Sequence, residues 1–218
     1  MRRLFIDLHV SPRVEASLLR HLGWRAVAIA SSTLSEARES PRGLIEGVEA
    51  FRRLDVKGFP SRSLMARARR LVEVVAVEPQ GIGQARLAAR SGLADLISLP
   101  AAPGCFDEGV ASLMESTGTV LELNLLPLIK SRCSPSLLSQ YRKWYRVAKA
   151  QGVEVVFSTG ASTSLEARSP RDLAALASMI TLSVDEARDA LSKRPQALLE
   201  EGKRRLSEGY VMPGVRVV

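Results

Sequence analysis

Histidine and cysteine are scarce in this chain, with two of each among 218 residues. A working protein-borne metal centre needs three or four converging ligands of the His, Cys, Asp and Glu kind. His9 and His21 lie twelve positions apart, the second in a helical segment, so a histidine-rich centre is excluded. Cys105 and Cys133 are 28 positions apart, without the close spacing of a zinc knuckle or a redox pair, and read as structural or incidental. Long apolar runs are missing too. None approaches the roughly 20 residues that span a bilayer. At the start, Met1-Arg2-Arg3-Leu4-Phe5-Ile6-Asp7, the acid at Asp7 and then His9 break the apolar run too early for a signal-peptide core. No membrane contact and a cytoplasmic location are the expectation. Linkers, tails of like charge and fixed-period repeats are absent, which favours a single domain over residues 1–218.

Acidic residues are also in deficit, with 23 Asp and Glu against 31 Lys and Arg and a net charge of +8. Such a balance favours a polyanionic partner. The excess concentrates in residues 51–100, with nine cations against four acids, whereas residues 151–218 carry nine of each. Arginine supplies 25 of the 31 cations, and its planar fork suits phosphate better than the point charge of lysine. A genome-wide codon bias toward arginine is the competing explanation.

What is present is a succession of short apolar runs rich in Val, Ile and Leu: residues 4–6, 26–29, 72–77, 96–99, 120–123 and 153–157. Each has the length of a buried parallel strand. A seventh is expected around Asp55 to Leu64, where Gly58 and Pro60 blur the signal. Helical spacing fills the intervals, as in Val14-Leu18-Leu22, Val110-Leu113-Met114 and Leu173-Leu176-Ala177. Ser-Pro at 11–12, 40–41, 134–135 and 169–170 reads as four helix starts, with serine as cap and proline at the first helical position. Ser169 to Asp172 and Ser183 to Glu186 resemble capping boxes, and the C-terminal third reads as mainly helical. Repeated strand–helix units require a parallel sheet, and seven of them favour a closed TIM-like (β/α) barrel, with an open doubly wound sheet as the alternative.

Few motifs carry chemistry. Asp7 and His9 stand at the end of the first strand, where barrel enzymes place functional groups, with Asp95 and Glu122 as further carboxylates; the preferred reading is a hydrogen-bonded structural pair or polar remnant. Gly81-Ile82-Gly83-Gln84 lacks the third glycine and the lysine of the nucleotide fingerprints and reads as a tight turn. Ser158 lies outside any Gly-x-Ser-x-Gly elbow. Arg62-Ser63-Leu64-Met65-Ala66-Arg67-Ala68-Arg69-Arg70 is the strongest basic cluster and contains no acid, which suits phosphate contact and equally a solvated helix face. In residues 141–149, Tyr141, Trp144, Tyr145 and Ala148 share one helical face, read as core, while Arg142, Arg146 and Lys149 share another.

The order of several stretches resembles the Rpp30 family of ribonuclease P subunits, the archaeal-type protein component 3. They are residues 5–10, 74–78, 94–100, 121–128 and, most specifically, Ser158-Thr159-Gly160-Ala161 followed by Arg168-Ser169-Pro170-Arg171-Asp172-Leu173, with a last helix near Arg194-Pro195. The resemblance implies a TIM-like barrel of about seven parallel strands with extra C-terminal helices, related to the polymerase-and-histidinol-phosphatase (PHP) metal enzymes. Those relatives carry His-x-His after the first strand, and here Ser11 stands where the second histidine would be. The implied role is a subunit without catalytic residues or metal of its own. It would bind ribonuclease P RNA, whose own magnesium ions support 5′-leader removal from precursor tRNA, beside a Pop5-type protein. Arg62, Arg67, Arg69, Arg70, Arg86, Arg90, Arg168 and Arg171 are the candidate RNA contacts. Arg86 and Arg168 rest partly on family-like contexts, and the others on charge and placement. A metal-dependent PHP-type phosphoesterase using Asp7, His9 and Glu122 is the rival reading, and a purely protein-binding barrel is a third.

Overall fold

The computed structural model describes residues 3–59, 61–100, 104–208, 210–212 and 215–216. Seven parallel strands form the frame: β1 (Ile6–Val10), β2 (Ala26–Ser31), β4 (Val48–Lys57), β5 (Val74–Glu78), β6 (Leu96–Ser98), β7 (Val120–Asn124) and β8 (Val155–Ser158), hydrogen-bonded in that order. A short β3 (Gly43–Ile45) pairs antiparallel with β4 outside that path. The crossovers are α1 (Ala16–Leu22), α2 (Leu34–Glu39), α3 (Arg62–Arg69), α4 (Ile82–Ser91), α5 (Glu108–Thr117), and the pair α6 (Leu126–Lys130) and α7 (Pro135–Ala150). After β8 come α8 (Pro170–Thr181), α9 (Val184–Asp189), α10 (Lys193–Arg205) and a small hairpin, β9 (Tyr210–Met212) and β10 (Val215–Arg216).

The sheet curls into a nearly closed barrel. β8 and β1 are joined at one end by the Val10–Ala161 bridge, where Ser11 N donates to Ala161 O at 2.9 Å and Gly160 N to His9 O at 3.1 Å. Toward the strands' N-terminal ends the seam opens, and residues 190–191, between α9 and α10, enter it. Ile6 N donates to Leu191 O at 3.0 Å and Phe157 N to Ala190 O at 3.3 Å, so these edge amides are not left without acceptors.

Strand periodicity divides the apolar residues into two layers. Ile6, Leu8, Ala26, Ala28, Phe51, Val74, Ala76, Leu96 and Val156 fill the barrel interior together with Leu199 of α10. Val27, Val75, Val77, Ile97, Leu121, Leu123, Val155 and Phe157 face outward onto helix residues such as Met65, Ala85, Ala88, Met114, Tyr141 and Trp144. Both faces are buried, which is why strands such as β5 and β6 read as unbroken apolar runs.

Several sequence expectations shift. The seventh strand lies at Val48–Lys57 rather than Asp55 to Leu64; α3 begins at Arg62, and Pro60 falls outside the described residues. Its ten residues include Glu49, Arg52, Arg53, Asp55 and Lys57, so no apolar run marks it. β3 and β4 meet at Glu46 and Gly47, both at positive φ (48° and 85°), as a two-residue primed hairpin turn requires. Ser134-Pro135 and Ser169-Pro170 do start helices, but Ser40 ends α2 and Ser11-Pro12 precedes α1 by several residues. Proline stops a helix as readily as it starts one, because the residue before it is steered away from helical angles.

Candidate nucleic-acid interface

The barrel interior beyond its apolar layer is polar. Arg53 of β4 is fully buried there and all five of its N–H groups are matched: Nε and Nη2 to Asp55 (2.8 and 2.7 Å), Nη1 and Nη2 to the two oxygens of Glu122 on β7 (both 2.6 Å), and Nη1 to Leu8 O (2.7 Å). Burial opposes the guanidinium charge, but Asp55 and Glu122 outweigh it and keep Arg53 protonated. Burial likewise favours neutral Glu122, and Arg53 overrides it, holding the carboxyl well below its usual range. His9 stands beside the pair, Nε2 3.5 Å from Asp55 and Nδ1 3.8 Å from Glu122.

Asp7 turns away from this cluster. Its Oδ1 accepts from His9 N and Thr159 N, both at 3.1 Å, and its Oδ2 accepts from the Thr159 hydroxyl, so it ties β1 to the segment after β8. Burial pushes its carboxyl up to about 6, against those hydrogen bonds and the neighbouring His9. Asp7 thus meets His9 through the His9 backbone N–H, while the His9 imidazole lies beside Asp55 and Glu122. Among the described residues, no three His, Cys, Asp or Glu side chains are arranged to hold a metal ion. The donor set does not fit one, since a guanidinium already neutralises the two carboxylates nearest His9. Ser158 is wholly buried, its hydroxyl has no partner among the described residues, and it is closed to a substrate.

The candidate arginines lie on three elements. On α3, Arg62, Arg67 and Arg70 are exposed, whereas Arg69 is half-buried and donates to Asp95 (2.6 Å) and Leu93 O (3.3 Å). Asp95 is also held by Arg205 of α10, so Arg69 belongs to a structural network. On α4, Arg90 is exposed and Arg86 pairs with Asp107, the cap of α5, at 2.9 Å. At α8, Arg171 is exposed, while Arg168 folds back with Nη1 on Leu165 O (2.9 Å) and Ala167 O (2.8 Å). The structure brings Arg67 and Arg70 to one groove with Arg38 of α2, a residue outside the sequence-based candidates, which stands between Glu36 and Glu39 in the sequence.

A family model described as RNase P subunit p30 matches residues 5–207. The chain belongs to this family. Ribonuclease P protein component 3 of Methanosarcina mazei is 30% identical over 215 residues, covering 93% of this chain and 87% of that protein. The Methanosarcina acetivorans protein of the same name is 29% identical over 212 residues, covering 94% and 88%. Among solved structures, a chain in a cryo-EM structure of archaeal ribonuclease P with mature tRNA superposes with a TM-score of 0.75 at 19% identity, covering 98% of this chain and 97% of that one. A prolidase complexed with N-methylphosphonate-L-proline gives 0.60 at 12% identity, covering 98% and 78%. The p30 family fold is thus a TIM-like barrel shared with enzymes of other chemistry.

In this p30-family chain the stretches that carry the resemblance prove architectural. Thr159 holds Asp7, Gly160 closes the seam at φ +66°, and a Cβ on Gly160 would stand 2.0 Å from the Asn124 side chain. Arg168 O receives the Trp24 indole N–H at 2.8 Å, and Ser169 caps α8 by accepting from Asp172 N.

Proposed function

We propose that this chain binds ribonuclease P RNA and supports 5′-leader removal from precursor tRNA, with catalysis carried by the RNA. The observation that carries the reading is the family match over almost the whole barrel, residues 5–207, on a chain with a net charge of +8. A subunit of ribonuclease P has RNA and protein partners, and the similar chain in the archaeal structure sits in a complex with tRNA. The finer assignments are ours: a Pop5-type subunit as immediate protein partner, magnesium held by the RNA with none resident in this chain, and a cytoplasmic location. Consistent with the last, no helix among the described residues is long and apolar enough to cross a membrane.

Exposed arginines without acidic partners support phosphate contact, and Arg62, Arg67, Arg70, Arg90 and Arg171 meet that condition among the described residues. Arg86 and Arg168 join them only by exchanging existing contacts, and Arg69 only by weakening the Asp95 network. Folded RNA offers phosphates and 2′-hydroxyls more readily than base edges, so recognition rests on shape and charge. The rival phosphoesterase loses ground at Glu122, whose two carboxylate oxygens are both taken by Arg53.

Reconstitution tests the reading. Leader cleavage of a precursor tRNA should require ribonuclease P RNA and should rise when this chain is added with its partner subunits. Cleavage or phosphatase turnover by the chain alone, with added zinc or manganese, would return it to the enzymes.

A further inference from the structure

Between α2 and α3 runs a groove of about 430 Å³ lined by Leu34, Ser35, Arg38, Arg67, Arg70 and Leu71. Its three arginines are exposed, and among the described residues none forms an ion pair. Their neighbours do, Arg42 with Glu73 at 2.7 Å and Arg69 with Asp95 at 2.6 Å. Three unpaired cations in one concavity repel one another in the free protein. Two helix ends temper that repulsion, since Arg38 lies in the last turn of α2, Arg67 in the last turn of α3, and Arg70 caps α3. A helix C-terminus carries partial negative charge that favours cations there. That field accounts for the arginines being tolerated at the two helix ends, and among the described residues their guanidinium groups make no hydrogen bond or ion pair.

We propose that this groove is a seat for the RNA sugar–phosphate backbone, with Arg38, Arg67 and Arg70 each engaging phosphate oxygens. The proposal rests on the ribonuclease P reading and adds the place where the chain grips its RNA. Chemical complementarity favours RNA over an acidic peptide. The polar lining is nearly all donor, three guanidinium forks and the Ser35 hydroxyl, and no carboxylate lines it. A phosphodiester backbone presents acceptors to such a lining, and paired N–H donors suit its oxygens. A peptide would bring backbone N–H groups, and among the lining side chains only Ser35 offers an acceptor. Half-buried Leu34 and Leu71, packed on the core, give an apolar floor for ribose faces and for the arginine stems.

The test measures binding of the full chain to ribonuclease P RNA from about 50 to 200 mM salt, for the wild type, the triple variant Arg38→Ala/Arg67→Ala/Arg70→Ala, and a charge-removal control, Lys143→Ala/Arg146→Ala on α7. Three lost phosphate contacts should flatten the slope of log affinity against log salt by about 2.7, so the wild type loses roughly 40-fold more affinity over that range than the triple variant. A triple variant that keeps the wild-type slope overturns the groove and leaves the ribonuclease P reading intact. A wild-type chain that neither binds this RNA nor raises leader cleavage overturns both. A photo-crosslinker on Ser35→Cys, in the reconstituted complex, decides independently of the triple variant's folding. Crosslinks to RNA support the proposal, and crosslinks to protein alone overturn it in favour of a subunit interface.

Discussion

Arg53 shows how a buried charge is tolerated. Its pairing with Glu122 and Asp55, with Leu8 O taking the remaining N–H, satisfies every donor, yet charges held out of water add little net stability beyond what apolar residues of the same shape would give. Removing one partner is another matter. Arg53→Met strands the fully buried Glu122, and we expect a loss of about 3–5 kcal/mol, most of it recovered in Arg53→Met/Glu122→Leu; urea denaturation of the two single variants and the double variant measures this. Asp7 gives a pH signature of opposite sign to Glu122. Its folded value of about 6 lies above the ordinary 3.8, so its contribution is full below pH 4 and is lost as pH rises through 6. The cost above that window is on the order of 3 kcal/mol. Glu122, held low, contributes above its ordinary 4.5 and loses that contribution only in stronger acid. Asp7→Asn keeps an acceptor for the two backbone N–H groups and a donor for the Thr159 oxygen. It should match the wild type at pH 4 and exceed it in stability at pH 7; equal stability of the two proteins at pH 7 would contradict the burial argument.

At the scale of elements, α10 is fitted to the base of the barrel through a glycine. A Cβ on Gly202 would lie 2.2 Å from the Glu73 carbonyl oxygen, so Gly202→Ala must push the helix off β5 and withdraw Leu199 from the interior. We expect that change to cost more than about 2 kcal/mol, in the range of core disruptions. Gly83, in the first turn of α4, meets nothing within 4 Å, and Gly83→Ala should stabilise by roughly 0.5–1 kcal/mol through helix propensity and chain entropy. Thermal melts of both variants check the contrast. The elements most legible in the sequence were those whose signal is local. Strands such as β5 and β6, apolar on both faces, announced themselves as runs, and the caps Ser169 and Ser183 matched their helices. β4 did not, because its inward charges are neutralised by residues as far away as Glu122, 69 positions on. The aromatic face of α7 was legible for the same local reason: Tyr141, Trp144 and Tyr145 follow helical spacing and are buried together.

For the whole molecule, fold class was readable and the interface only partly so. Alternating strand and helix dictate a parallel sheet whatever the details, and seven units have just the length to curl. Arginine function is not written locally. Arg69 and Arg70 are sequence neighbours, yet one is committed to Asp95, 26 residues on, and the other is free to face a groove shared with Arg38. Composition could place the basic excess in residues 51–100, but only the packed structure sorts arginines that hold the barrel together from arginines that face outward. Closure of the seam has a consequence for how the protein is made. Because Leu191 and Ala190 accept the amides of Ile6 and Phe157, the first strand waits for nearly nine-tenths of the chain before its edge is complete. During synthesis the N-terminal end of the β1–β8 seam keeps its edge amides exposed until the segment past α9 has left the ribosome, and that interval is when a chaperone would have the most to protect.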